Sequence, residues 1–213
     1  MNQYAEIQKA LEIKPESAEL LAFLASLYRE KKDYDRAIGL LQRIVEVDPK
    51  NDKQWFSLGA LYDEAKRKED CIRAMQKAVE LNGKNAAALN YLGYTWAEMG
   101  VELDQAEKLI RQAIDLEPDD GFYLDSLGWV YYQRGDFAKA AENLERAVEL
   151  ADDDPTVTEH LGDAYHKLGR APDALRAYRD ALAKTKDSEQ IQRLKQKITV
   201  AEGRMAGGAE SHP

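Results

Sequence analysis

The segment LNYLGYTWAEMG (residues 89–100), continued by QAEKLIRQAIDLEP (residues 105–118), has a second copy in LDSLGWVYYQRGDFAKAAENLERAVEL (residues 124–150). Laid over each other, the two copies place Leu89, Leu92, Gly93, Trp96, Ala106, Ile110, Ala113 and Pro118 on Leu124, Leu127, Gly128, Tyr131, Ala140, Leu144, Ala147 and Asp152. The copies are about 34 residues apart, which indicates an array of repeats that pack on their neighbours.

Within each repeat the apolar residues have helical spacing. If the Leu-Gly pair is placed at positions 7 and 8, then positions 4, 7, 8 and 11 form one stripe on a first helix. The stripe carries a glycine in four repeats, at Gly59, Gly93, Gly128 and Gly162. Because glycine has no side chain, a second helix can approach closely there. We therefore predict an all-α chain of helix pairs.

One segment, from Trp55 to Tyr62, has the spacing Trp, two residues, Leu-Gly, two residues, Tyr. This spacing matches the tetratricopeptide repeat (TPR) signature, and the chain resembles that family over nearly all of its length. The resemblance implies a right-handed superhelical solenoid of helix-turn-helix repeats.

The predicted organisation is one solenoid over residues 1–202. It consists of a half repeat (1–17), five full repeats (18–51, 52–85, 86–120, 121–154 and 155–188) and a capping helix (189–202). The third repeat is one residue longer, with the extra residue in GVELD between its helices. Residues 203–213 lack periodicity, and we expect a disordered tail. Because an array rarely begins on half a repeat, we expect a fragment of a longer protein.

The composition argues against several classes of function. A net charge of −9 argues against nucleic-acid binding, which requires Lys and Arg to displace counterions from phosphates. No stretch approaches the roughly 18 apolar residues of a membrane helix. The sequence therefore predicts neither a nucleic-acid partner nor direct membrane insertion by this segment.

No constellation of residues indicates catalysis, a metal or a cofactor, and we predict that the chain is not an enzyme. His160 and His166 are six residues apart, so they do not form the i, i+4 metal pair. Cys71 lies at a core position. The acidic pairs Asp119-Asp120 and Asp152 to Asp154 stand where helices begin, and we interpret them as caps.

The resemblance to TPR proteins also implies a concave groove, lined by positions 2, 5, 9, 12 and 13 of the first helices. Acids outnumber bases at these positions, and large aromatic rings are typical of binding hot spots. We expect another protein to bind there through a basic or apolar peptide or helix, with Asn90 hydrogen-bonded to an extended backbone. The predicted contacts are Phe56, Asp63, Asn90, Tyr94, Phe122, Asp125, Trp129, Tyr132, Glu159 and Asp163.

Two alternatives stay open at this point. Aromatic residues at helical spacing commonly belong to a core, so neighbouring repeats are an alternative environment for Trp129 and Tyr132. The array is alternatively a self-assembly module, forming homo-oligomers through exposed helix faces or array ends. The chain also resembles the C-terminal arrays of long bacterial TPR adaptors, some of them outer-membrane lipoproteins. That resemblance implies a bacterial scaffold in the cytoplasm or, if the full-length chain carries a signal, at the periplasm or outer membrane.

Overall fold

A computed structural model describes residues 3–151 and 154–209. Within these ranges the chain forms twelve α-helices and no β-strand, which confirms the predicted all-α class. The helices are α1 (Gln3–Ile13), α2 (Ala18–Glu30), α3 (Tyr34–Val47), α4 (Asp52–Glu64), α5 (Lys68–Leu81), α6 (Ala86–Met99), α7 (Leu103–Leu116), α8 (Gly121–Gln133), α9 (Phe137–Leu150), α10 (Pro155–Lys167), α11 (Ala171–Lys184) and α12 (Ser188–Ala209).

The helices group into two compact halves, residues 1–95 (the N-terminal half) and 96–213 (the C-terminal half), with the boundary inside α6. In the N-terminal half α2 pairs with α3 and α4 with α5, while α3 packs on α4. In the C-terminal half α8 pairs with α9 and α10 with α11, α9 packs on α10, and α12 packs on α11. A single solenoid over residues 1–202 stays a prediction, and each half is described by itself.

Glycines hold the paired helices close together. A Cβ on Gly128 of α8 would lie 2.6 Å from Leu144 Cγ of α9, and one on Gly162 of α10 would lie 2.5 Å from Tyr178 Cε1 of α11. Real Cβ atoms do not approach other atoms this closely, so a side chain at either position would force the helices apart. This geometry confirms the role that the sequence indicated for these glycines.

The turn inside every repeat places one residue in the left-handed region of the backbone. These residues are Lys32, Lys66, Gly100, Gly135 and Gly169, with φ between 58° and 79°. In the third repeat Glu102 also has a positive φ of 48°. The extra residue of GVELD is therefore accommodated by a second left-handed residue in the turn, outside the helices.

The predicted caps are present on α8 and α10. Asp120 accepts hydrogen bonds from the backbone N–H groups two and three residues ahead, at 2.8 and 3.3 Å. Asp154 does the same at 2.7 and 3.2 Å. These bonds satisfy N–H groups that have no partner within the helix. Asp152 and Asp153 lie outside the described residues.

The last helix is longer than predicted. We expected it to end near residue 202, but α12 continues to Ala209, seven residues into the segment predicted to be disordered. Residues 203–209 contain no proline, so nothing in the backbone prevents the helical hydrogen bonds from continuing. Residues 210–213 lie outside the described residues.

Gly128→Ala and Gly59→Ala are expected to differ in stability. The new methyl group at 128 meets the branched Leu144 Cγ and the Ala140 carbonyl oxygen, whereas the one at 59 meets only the flexible end of Met75. We expect Gly128→Ala to lower the free energy of unfolding by about 1 to 3 kcal/mol. Gly59→Ala is expected to cost less, because Met75 can move and alanine gains about 0.5 to 1 kcal/mol in helix propensity. Urea denaturation followed by circular dichroism measures both, and equal effects would contradict the packing described.

Candidate functional site

A cleft of about 340 Å³ lies between α2 and α4 in the N-terminal half. Its walls are mostly small or apolar, and the residues that line it are Ala22, Ala25, Ser26, Arg29, Leu41, Gln54, Phe56, Ser57, Ala60, Leu61 and Glu64. Three alanines and two serines leave space where larger side chains would fill the gap between the two helices. The cleft therefore combines an apolar floor with a few polar groups, as ligand pockets commonly do.

The rim of the cleft carries one ion pair. Arg29 of α2 donates a hydrogen bond through Nε to Glu64 Oε2 of α4 at 2.8 Å, and its Nη2 lies 2.6 Å from Oε1. The two bonds make the contact bidentate, and the Glu64 carboxylate raises the pKa of Arg29. The pair is largely exposed, so it adds little stability but fixes two opposite charges at the mouth of the cleft.

Two predicted contacts, Phe56 and Asp63, lie on α4 in different settings. Phe56 lines the cleft and meets the ring of Tyr91 edge-on, with the centroids 5.9 Å apart. Asp63 accepts a hydrogen bond from the Tyr91 hydroxyl at 2.9 Å and pairs with Lys68 Nζ at 2.6 Å. Burial of Tyr91 and the Asp63 charge raise the pKa of that hydroxyl. Phe56 is therefore a cleft residue, whereas Asp63 links α4 to α5 and α6.

Asn90 and Tyr94, on α6, are both partly buried. The side-chain oxygen of Asn90 is buried and receives no hydrogen bond from the described residues. A buried amide oxygen without a donor is costly. The hydrogen bond from Asn90 to the backbone of a partner stays a prediction.

Trp129 is the centre of an aromatic stack in the C-terminal half. Its ring lies parallel to Tyr132, with the centroids 4.6 Å apart and an angle of 4°, and it also stacks on His160, with the centroids 4.4 Å apart. Both Trp129 and Tyr132 are partly buried and pack against the core. Trp129 Nε1 is buried without an acceptor anywhere in residues 3–151 and 154–209. Trp129 and Tyr132 therefore contribute to the core and keep some exposed surface, and their contact with a partner stays a prediction.

Phe122 lies apart from this stack. It is the second residue of α8, two helical turns before Trp129, and 51% of its surface is exposed. Phe122 is therefore an exposed ring outside the stack, and its contact with a partner stays a prediction.

Asp125 is not available to a partner, which corrects its place among the predicted contacts. It is buried and lies 2.8 Å from Nδ1 of His160, a residue on α10 that is also buried. Burial lowers the pKa of His160, but the carboxylates of Asp125, Asp163 and Glu159 outweigh burial and raise it above its ordinary value. The contact between Asp125 and His160 therefore links α8 to α10. The sequence did not predict this contact of His160. Its only signal is that His160 follows Glu159, the residue that corresponds to Asp125 in the next repeat.

Glu159 and Asp163 likewise contact the protein itself. Glu159 is buried and accepts hydrogen bonds from Gln190, Arg193 and Lys197 of α12, at 2.7 to 3.0 Å. Burial raises the pKa of Glu159, but these donors outweigh it and hold the pKa at about 2. Asp163 accepts from the Tyr178 hydroxyl at 2.8 Å and from Lys197 at 2.6 Å. Side chains of α11 and α12 thus bind both acids. The reason is that α12 packs where the first helix of a further repeat would pack.

The part of the chain that the structure describes contains no group of three His, Cys, Asp or Glu side chains that could hold a metal ion. None of its helices is long and apolar enough to cross a membrane.

Paired helices of about equal length, repeated with the same turn and the same glycine contact, define a helical repeat protein. Models of the tetratricopeptide repeat family match residues 4–62, 55–85 and 126–189, which together make up more than half of the chain. The chain belongs to the tetratricopeptide repeat family, whose members bind other proteins.

Known proteins agree with this assignment. Over 78 residues the chain is 42% identical to a TPR repeat-containing protein of Pseudomonas aeruginosa, a match that covers 37% of this chain and 13% of that protein. Over 108 residues it is 30% identical to the anaphase-promoting complex subunit CDC16 of Saccharomyces cerevisiae, covering 47% of this chain and 13% of that protein. The chain thus spans 13% of the length of each of these relatives.

The fold is also similar to solved structures. A tetratricopeptide repeat protein from Parabacteroides merdae superposes with a TM-score of 0.81 at 15% identity, covering 94% of this chain and 79% of that one. At that identity the likeness concerns the fold alone.

The Asp125 and His160 pair predicts a pH-dependent stability. The pKa of His160 is higher in the folded chain than its unfolded value of 6.5, so the protonated form stabilises the fold below that pH. This contribution is lost as the pH rises through the folded pKa. We expect the free energy of unfolding to fall as the pH rises above about 6.5 and through the raised pKa of folded His160, and His160→Gln to flatten that dependence. Urea titrations across this range measure it, and an equal slope in the variant would contradict the assignment.

Proposed function

We propose that this chain is a non-catalytic scaffold that binds a segment of a partner protein in the cleft between α2 and α4. The observation that supports the proposal is the cleft itself, because an apolar floor beside charged groups suits a peptide better than a polar metabolite. The cleft lies on two first helices, the surface that the family resemblance indicated.

The shape of the cleft indicates how the partner is held. Ala22, Ala25 and Ala60 leave room for an apolar side chain of the partner, which would contact Phe56 and Leu61. Buried apolar anchors of this kind supply most of the affinity at protein interfaces. The Arg29 and Glu64 charges at the rim would then orient polar groups on either side of the anchor.

Residues outside the cleft contribute in different ways. In the proposal Asn90, Tyr94, Trp129 and Tyr132 remain secondary contacts, because each retains some exposed surface or an unsatisfied polar atom. Asp63, Asp125, Glu159 and Asp163 are left out, because each carboxylate already bonds or pairs with side chains of the protein itself.

A relative supports a role within protein assemblies. CDC16, with which the chain shares 30% identity over 108 residues, is a subunit of the anaphase-promoting complex. A subunit of this kind works through contacts with other proteins, and we extend that role to this chain.

Filling the cleft is expected to abolish binding. Ala60→Trp places an indole between α2 and α4, whereas Gln76→Trp adds the same ring on an exposed position of α5. Peptides are selected on the wild-type protein from a displayed random library, and their affinities are measured by fluorescence anisotropy. We expect Ala60→Trp to weaken binding by about tenfold or more and Gln76→Trp to leave it unchanged.

Arg29→Glu is a second test of binding in the cleft, and it adds no bulk to the cleft. Replacing the cation puts two carboxylates at the rim, so peptides that contact the rim should bind with altered affinity while the fold, checked by circular dichroism, is retained. The proposal fails if no peptide is enriched, or if enriched peptides bind Ala60→Trp as tightly as wild type.

A further inference from the structure

Each of four second helices ends on a large apolar residue. Val47, Leu81, Leu116 and Leu150 close α3, α5, α7 and α9 at the same position of the repeat. Three of them are substantially exposed: Val47 at 49%, Leu116 at 41% and Leu150 at 41%. The repeat pattern therefore explains why an apolar residue occurs at the last position of these helices. It does not explain the charged residues that flank this position.

The last residues of α7 and α9 lie on one edge of the C-terminal half. Leu124, Ala147, Ala151 and Val157 form one buried cluster, which joins the end of α9 to the starts of α8 and α10. A Cβ on Gly121 would lie 2.8 Å from the carbonyl carbon of Leu150, so the end of α9 packs against the first residue of α8.

The end of α7 reaches the same edge. The Tyr123 hydroxyl donates a hydrogen bond to Glu117 at 3.1 Å, which brings the residue after Leu116 next to the start of α8. The exposed apolar residues Leu116, Phe122 and Leu150 therefore lie where the ends of α7 and α9 meet the start of α8, a region here called the α7–α9 edge.

Acidic side chains flank these apolar residues along the chain. Asp115, Glu117, Asp119 and Glu149 are exposed and lie within three residues of Leu116, Phe122 or Leu150. No Lys or Arg occurs in residues 112–133 or 147–166. The nearest cations are Arg111, which is bonded to Glu107 and Tyr131, and Arg146, one turn before Leu150.

The equivalent positions elsewhere have mixed charge. Val47 is flanked by Glu46 and Asp48 but also by Lys50, and Leu81 has Glu80 on one side and Lys84 on the other. More broadly, residues 96–213 carry 24 acidic and 15 basic residues, so the whole net charge of −9 lies in the C-terminal half. Acidic flanks are thus a property of the α7–α9 edge and not of the repeat.

We propose that the α7–α9 edge is a docking surface for a basic, apolar segment of a partner protein. Lys or Arg of the segment would meet the carboxylates, and its apolar side chains would cover Leu116, Phe122 and Leu150. A second copy of the chain is a poor occupant, because its own acidic edge would repel this one. An anionic membrane surface is disfavoured for the same reason. The inference is independent of the proposed function, since it shares no residue with the α2–α4 cleft.

The probe is a helical peptide of about 15 residues with Leu on one face and Lys on the other. Two companion peptides separate the contributions, one with Ser replacing Leu and one with Glu replacing Lys. Affinities for the full chain are measured by isothermal titration calorimetry at physiological salt. We expect the Lys/Leu peptide to bind at least about tenfold more tightly than either companion.

Matched variants test whether the peptide binds at the α7–α9 edge. Leu150→Ser and Glu149→Lys are compared with Val47→Ser and Glu46→Lys, which make the same changes at the equivalent positions of the first repeat. We expect each of the two changes on α9 to weaken peptide binding by about tenfold. The two changes on α3 are expected to leave the affinity unchanged. Circular dichroism checks that each variant is folded. If Leu150→Ser unfolds, Glu149→Lys still tests the site, because it alters only an exposed charge.

Several outcomes overturn the proposal. Equal affinity for the Lys/Leu and Lys/Ser peptides would mean general attraction to an acidic protein. Equal weakening by the α3 and α9 variants would mean that the site is elsewhere. Failure of the Lys/Leu peptide to bind would remove the docking surface altogether.

Discussion

The close approach of two helices across a glycine is the contact on which the rest of this structure depends. Gly128 against Leu144 and Gly162 against Tyr178 leave no space for even one methyl group. This closeness fixes α8 on α9 and α10 on α11, and buried alanines of these helices fill the remaining space. Because each repeat is held locally in this way, the outward residues of the first helices are free to vary without changing the fold.

The two halves use that freedom differently. In the N-terminal half, small residues on α2 and α4 leave a cleft with one ion pair at its rim. In the C-terminal half, the corresponding acids hold neighbouring helices together, through Asp125 with His160 and Glu159 with α12. A buried charge needs its partner, so these acids stabilise the stack and do not recruit a ligand. The surface chemistry of the C-terminal half is therefore concentrated at its exposed acidic edge.

Most of the fold follows from the sequence because period and turn chemistry are local properties. The Leu-Gly pairs, the extra residue in GVELD and the capping role of Asp120 and Asp154 all predicted features that the structure shows. The length of α12 did not follow, since composition alone cannot tell a continuing helix from a tail. The site was harder to predict. Whether Asp125 or Glu159 faces a ligand depends on the side chain opposite it, about 35 residues away, and no periodicity records that pairing.

A double-mutant cycle between Gly128→Ala and Leu144→Ala tests the central contact most directly. Chemical denaturation of the four proteins gives the cost of the new methyl group with and without the side chain that opposes it. If the contact is as described, Gly128→Ala destabilises the chain that keeps Leu144 but is neutral or stabilising once Leu144 is shortened. The same cost in both backgrounds would show that the helices are not held at this distance by the absence of a side chain at position 128.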